Sequence, residues 1–363
     1  MAEALHSAIL MGWVDLDVKR RMVSSTTVDS RFHAKPFERG VILFSFDTEQ
    51  IWGYKDLLSE SEFQAVFPCT RDTHEKLLKS VCDAGISATW FLVGAMSLPG
   101  SRGSRDSKMA GLSPESVAMV PEGNESTAPL WYSRSFVEHL RDAQPRQEIG
   151  LHGGLVHLIW TGPRNTTDSI SWELAQGAEV LRQMDIHPTS FSFPRDEEAH
   201  HELLPQQGIC CYRGKTPVLA FRLGRTLPGA ILRIADELRV ARPPMACPQQ
   251  LLPGLWNIPS SLFLYPISPS RARLVPLRLR IARFSRGLQA AIRERGIFHF
   301  CLHPENLAES PKGFSLFEEM LEEAVRARDR GDVEILTMTD VASRLENRVN
   351  RRPAGGNLAH RLM

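Results

Sequence analysis

Val41-Ile42-Leu43-Phe44-Ser45-Phe46 runs directly into Asp47-Thr48-Glu49, and this stretch decides the fold. Five apolar residues and one serine make a run of strand length, apolar enough to be buried on both faces. Strands of that kind belong to parallel sheets covered by helices. The polar chemistry then begins abruptly. Side chains alternate along an extended chain, so Asp47 and Glu49 point the same way while Thr48 points opposite. Two carboxylates on one face repel unless a cation or an arginine lies between them. The bland alternative is the start of a solvated loop.

The elements downstream repeat one pattern. Arg71 to Ala84 reads as a helix with Leu77, Leu78 and Val81 as its apolar stripe and Gly85 just past its end. A second buried strand follows at Ala88–Val93, so strand, helix and strand imply a right-handed parallel crossover. Residues 97–128 change to Gly, Ser, Pro and charge, which suggests a long surface excursion, either disordered or a lid over a site. Helical spacing returns at Phe136, Val137 and Leu140, and again near Trp172–Met184. Strands are expected at Glu148–Leu151, Thr189–Phe193 and Ile209–Tyr212. Segment 215–260, rich in Pro and Arg, has no clear assignment. Leu277, Ile281, Phe284, Leu288 and Ile292 share one helical face, followed by strand Ile297–Leu302, helix Ser315–Arg330 and strand Val333–Leu336. Alternation of this kind predicts an α/β fold with a largely parallel sheet, open or closed into a barrel. Residues 1–37 read as an extension, 38–345 as one catalytic unit, and 346–363 as a basic, loose tail.

Composition excludes some classes. The chain has 363 residues and a formal net charge of +1, which gives no electrostatic case for a nucleic-acid partner. No run approaches the roughly 20 apolar residues that span a bilayer. The only apolar stretch near the start, Ala8–Val14, has no basic region before it, so a cytoplasmic location is expected. The six cysteines lack metal-type CxxC spacing and read as reduced thiols. Eight arginines lie between Arg271 and Arg295. They could make peripheral contact with an anionic lipid or glycan, although a core-facing helix with a solvated charged face is the commoner arrangement.

In parallel α/β folds functional groups gather at the carboxyl ends of the strands. After the strand at Ile149 comes His152-Gly153-Gly154-Leu155-Val156-His157, two imidazoles suited to a transition metal. After Thr189–Phe193 comes Pro194-Arg195-Asp196, where Arg195 could pair with Asp47 and hold it ionised. After Ile297–Leu302 comes His303-Pro304-Glu305; His299 lies deeper on the same face and reads as a packed core residue.

Taken in order, these motifs resemble the polysaccharide deacetylase family, also called the NodB-homology or carbohydrate esterase four family. Phe44–Glu49 is similar to its first motif and Gly85–Gly94 to its second core strand. Glu148–His152 with His157 resembles the histidine motif, Ser192–Arg195 the arginine motif, Trp256–Ser260 the late strand, and Leu302-His303-Pro304 the closing histidine motif. The resemblance spans roughly 38–345 and implies a distorted (β/α) barrel that removes an N-acetyl group from an amino sugar in a glycan or glycan precursor. It also implies a divalent metal, usually zinc, held by Glu49, His152 and His157. By the same resemblance Asp47 is the general base, Arg195 orients it, and His303 protonates the leaving amine. The chain departs from the common pattern at three places. Thr48 stands where a second aspartate is usual, the two histidines are five apart rather than four, and Asp196-Glu197-Glu198 replaces an aromatic and a glycine. Two other readings fit the same residues: hydrolysis of another non-peptide amide such as a formamide or ureide, and a non-catalytic glycan-binding barrel that has lost its metal.

Overall fold

The structure is a computed structural model that describes residues 37–218, 226–265, 274–308 and 311–351. Most of the expected N-terminal extension, Arg271, Arg273 and the end of the tail lie outside the described residues. The strands are β1 (Gly40–Thr48), β2 (Thr89–Leu92), β3 (Ser101–Arg102), β4 (Glu122–Gly123), β5 (Glu148–His152), β6 (Ser190–Ser192), β7 (Cys211–Arg213), β8 (Gln249–Leu252), β9 (Leu255–Asn257), β10 (Leu262–Leu264), β11 (Ile297–Leu302) and β12 (Val333–Leu336). The main sheet runs β10-β11-β1-β2-β5-β6-β7-β9-β8, with β12 also on β1. Its pairings are parallel except for the β8–β9 hairpin.

β1 is the organising strand because it has three partners. β11 pairs Val41–Phe46, β12 pairs Gly40–Leu43 and β2 pairs Ser45–Thr48. All nine of its residues are buried, which is why its sequence shows no polar alternation until the site begins. One side of it, Ile42, Phe44 and Phe46, packs with Leu77, Val81, Phe284, Leu288 and Phe317 on the surrounding helices. The other side, Val41 and Leu43, meets Phe91, Trp256, Ile258 and the helix residues Met338, Val341 and Leu345. That second cluster is an apolar floor inside the curled sheet. Ser45 and Asp47 continue the same side upward, so the chemistry stands on the floor at the carboxyl ends of the strands.

The sheet curls until its two ends are joined through one short segment. Ile258 and Ser260 donate their backbone N–H to Tyr212 O and Gly214 O at 2.9 and 3.0 Å, while Ser261 donates to His299 O at 2.8 Å. Ile258–Ser261 thus links the β7 side to the β11 side, and the expected distorted barrel is the fold observed. Among the described residues no helix is long and apolar enough to cross a membrane.

Three regions differ from the expectation. Residues 97–128 are not disordered: Leu98, Met109, Leu112 and Val120 are buried against Trp52, Trp131 and Tyr132. Their Gly and Ser content serves short turns and the small β3–β4 ladder, which hid the apolar anchors from a reading by composition. Residues 346–350 are not tail but the end of helix Met338–Asn350, started by a capping box in which Thr337 and Asp340 bond reciprocally. In 226–260, helix Leu227–Leu238 and the β8–β9 hairpin appear. Helix Leu277–Glu294 buries Arg280 and Arg283. Arg280 donates to Tyr265 O at 2.9 Å and Arg283 to Ala241 O at 3.1 Å, so these two arginines bind neighbouring backbone.

Gly287 sits where an added Cβ would overlap the ring of Phe298. At an open helix position Gly→Ala stabilises by up to about 1 kcal/mol. Here Gly287→Ala is expected to destabilise by about 1–3 kcal/mol through overpacking, read as a lowered urea midpoint. A raised midpoint would contradict the packing described.

Candidate metal centre

The first ligand candidate comes from the end of β1. Glu49 opens a tight turn, Gln50–Gly53, and its backbone O accepts from Trp52 N at 3.0 Å. The turn folds the Glu49 carboxylate back over Gly53, where any Cβ would overlap it. A glycine is required there by close approach.

The two histidines come from β5 and the loop after it. His152 Nδ1 lies 3.0 Å from Ser192 O, a carbonyl that can only accept. Nδ1 therefore carries the proton and Nε2 presents a lone pair. Gly153 and His157 both take left-handed backbone, with φ of 73° and 57°, so the loop doubles back and the five-residue spacing still brings the two rings together. Their Nε2 atoms are 3.3 Å apart. The loop is pinned from beneath: the buried Glu173 Oε1 accepts from Gly154 N at 3.1 Å and Val156 N at 3.0 Å. Lys55 donates to Val156 O from above, and burial brings its pKa down to about 8.

Glu49 Oε2 completes a triangle, 2.9 Å from His152 Nε2 and 3.0 Å from His157 Nε2. All three residues are buried. A tetrahedral zinc with ligand bonds of about 2.0–2.1 Å separates its donors by about 3.3–3.4 Å. The observed triangle is close to that, and two imidazoles with one carboxylate form a donor set that zinc accepts. The residues present therefore fit a divalent cation. Burial holds His157 neutral, bringing its pKa down to about 4, as a ligand requires.

Beside the triangle, Asp47 makes two bonds to one guanidinium. Arg213 Nη1 donates to Oδ1 at 2.6 Å and Nη2 to Oδ2, with Nη2 also reaching Ser192 Oγ at 2.9 Å. Burial pushes the Asp47 carboxyl up, but Arg213 and His152 outweigh it and hold the group well below the usual carboxylate range. The expectation that Arg195 orients Asp47 is corrected here. Arg195 bonds both carboxylate oxygens of Asp56 at 2.5 Å, at the rim of the site. The reason is backbone geometry: Arg195 and Asp196 both have φ of 56°, and the turn carries the Arg195 side chain away from the strand axis. Arg213 was missed because the strand was expected to end at Tyr212. Inspection of the residue after that strand, the same rule that found His152 and His303, would have found it.

His303 closes the group. Its Nδ1 is 3.0 Å from Glu49 Oε1 and its Nε2 is 3.4 Å from Asp47 Oδ2. Burial disfavours the imidazolium, yet the Glu49 and Asp47 carboxylates overcome that and hold its pKa well above the ordinary value. A quarter of its side chain remains exposed, so it is the member of the cluster nearest to solvent. Phe263 packs edge-on against the ring at 5.1 Å.

Comparison with solved structures places this architecture. The chain shares its fold with polysaccharide deacetylases. A protein assigned as one from Mycobacterium smegmatis superposes with a TM-score of 0.55 at 17% identity, covering 91% of this chain and 96% of that one. Another so assigned, from Pseudomonas aeruginosa PAO1, gives 0.51 at 9% identity over 85% and 91%. The allantoinase Puue gives 0.53 at 10% identity over 92% and 98%. No family model and no curated protein matches the sequence.

Removing Arg213 strips a buried carboxylate of its bidentate partner and leaves it only the longer His303 contact, so Arg213→Gln is expected to cost about 3–5 kcal/mol at pH 7, and Arg195→Gln at the rim under about 1 kcal/mol. The pH dependence follows from sign. A depressed folded-state pKa adds stability above the unfolded carboxyl value, near 3.9, and loses it as pH falls toward the folded value. The gap between Arg213→Gln and the parent in urea titrations should therefore narrow below about pH 4. Equal losses for the two arginine variants would refute the pairing.

Proposed function

We propose that this chain is a metal-dependent hydrolase of non-peptide carbon–nitrogen bonds whose substrate is an N-acetylated amino sugar in a glycan or glycan precursor. The observation that carries the reading is the convergence of Glu49 Oε2, His152 Nε2 and His157 Nε2 beside an arginine-paired aspartate and a solvent-facing histidine. Glu49, His152 and His157 would hold the cation, with zinc favoured by the donor set. Bound there, it supplies Lewis acidity toward an amide carbonyl and increases the acidity of water.

The chain's own groups divide the proton work. Asp47 is ionised and fixed by Arg213, so it accepts a proton through position more than through basicity. Arg213 orients it from a buried position, with Asp196 at the rim 3.9 Å from its Nη2. His303, protonated under the two carboxylates and partly open to solvent, is the acid that delivers a proton to a leaving nitrogen. The Glu173 and Lys55 contacts hold the His157 loop in place while this happens.

A second reading keeps the centre and changes the amide to a ureide. The fold likeness to an allantoinase and the charged rim of Asp56, Arg195 and Asp196 favour keeping it. Both readings are tested together. Purified protein is assayed for zinc, for acetate release from N-acetylated amino sugars and for ring opening of a cyclic ureide. The expected result is about one zinc per chain and acetate release. His152→Ala should lower that release by more than the roughly 10–100-fold typical of outer contacts. Zinc with ureide turnover and no acetate would select the second reading. Metal-free protein indifferent to His152→Ala would remove both.

A further inference from the structure

Behind the metal triangle lies a second buried cluster that the mechanism does not use. Glu305 Oε1 accepts from the backbone N–H of Gln50 at 2.8 Å. It also lies 3.1 Å from His74 Nε2. His74 and Glu305 side chains are both fully buried. Because the carboxylate oxygen is the acceptor for Gln50, His74 Nε2 carries the proton that completes the pair. We propose that Glu305, steadied by His74, is a positioning residue that sets the orientation of Glu49 toward the bound cation; this rests on the metal reading given above.

Three observations carry it. First, the Gln50 N–H belongs to the peptide that follows Glu49, so a fixed acceptor there fixes the direction in which the Glu49 side chain leaves the chain. Second, Gln50 has a φ of 47°, a left-handed backbone that costs a non-glycine residue strain and persists only where its surroundings enforce it. Two buried acceptors hold it, Glu305 at the backbone N–H and Ser133 Oγ, which accepts from Gln50 Nε2 at 3.0 Å. Third, Glu305 begins the short helix Glu305–Ala308 two residues after His303, whose backbone O accepts from Asn306 N at 2.9 Å. One carboxylate therefore ties the turn carrying Glu49 to the turn carrying His303, and it fixes their separation.

The arrangement is poor if stability is its sole purpose. Glu305 Oε2 and His74 Nδ1 are buried with no hydrogen-bond partner among the described residues. Orphaned polar atoms of this kind destabilise a fold. An apolar pair filling the same space would hold the helix at lower cost, but it would leave the Gln50 N–H without an acceptor. Glu305 supplies that acceptor.

The test is zinc affinity, measured by competition with a chromophoric chelator, alongside thermal stability, for Glu305→Leu, Glu305→Gln and His74→Phe. Glu305→Leu is expected to weaken zinc binding roughly 10–100-fold, the range for contacts that orient a ligand from outside. Glu305→Gln, which keeps an acceptor for Gln50 N–H, should fall within a few-fold of the parent, and His74→Phe should lie between. If Glu305→Leu does not fold, the ordering of the other two decides. Variants that lose thermal stability but bind zinc within about twofold of the parent would show a structural role only and overturn the proposal. A parent that binds no zinc would instead overturn the metal reading itself, and this inference with it.

Discussion

The bidentate pair between Asp47 and Arg213 is the constraint around which the upper barrel is arranged. Two opposite charges taken out of water remain stable only when their geometry is good and their remaining donors and acceptors are met. Here the surroundings comply. Arg213 Nη2 reaches Ser192 Oγ, Nη1 lies 3.4 Å from Ser45 Oγ, and the guanidinium stacks over the Phe91 ring at 5.4 Å. Ser45 Oγ is 2.8 Å from His299 Nε2, and His299 Nδ1 is 3.2 Å from Pro259 O. The carbonyl fixes the proton on Nδ1, so Nε2 accepts from Ser45 and the whole chain of bonds has one direction. Burial, with Arg213 adding to it, lowers the His299 pKa to about 3, and the relay stays neutral at its inner end. The polar layer made by Ser45, Ser192, Arg213 and His299 separates the apolar floor from the site.

Above that layer the two irregular segments that carry Glu49 and His157 are held by buried or half-buried polar groups. Glu173 gathers the amides of the His157 loop, Lys55 caps that loop, and Glu305 fixes the turn after Glu49. Loops that carry ligands would otherwise be the most mobile part of a barrel. Held in this way, three donor atoms from three segments stay within hydrogen-bonding distance of one another, which is the precision a metal centre needs.

Much of this was legible from residue order. The apolar run of β1 marked a doubly covered parallel strand, and alternation put Asp47 and Glu49 on one face, which the paired carboxylates of the structure display. The strand-end rule found His152, His157 and His303, which the structure brings into one cluster. It failed at Arg195 because a pair of left-handed residues redirects the side chain, and single-residue backbone conformation leaves no mark in a periodicity. It failed at Arg213 because the strand boundary was set one residue short. Residues 97–128 misled for another reason: their anchors, Leu98, Met109, Leu112 and Val120, are too widely spaced to show a period. His74 and Glu305 carried no sequence signal, since their meaning lies in a contact across the fold.

The three-way pairing of β1 also sets an order of assembly. Gly40–Leu43 can reach its β12 partner only after Val333–Leu336 has been made, and Val41–Phe46 needs Ile297–Leu302. Contacts so distant along the chain close late and slowly. Until β11 and β12 emerge, β1 can pair only along Ser45–Thr48 and its apolar faces lack their cover, a window in which aggregation competes with folding. Asp47 lies on that strand and Glu49 just after it, so the end of the barrel that carries the proposed site is among the last parts to become correct. A nascent chain truncated before β12 would be expected to carry every proposed metal ligand and still present no finished site.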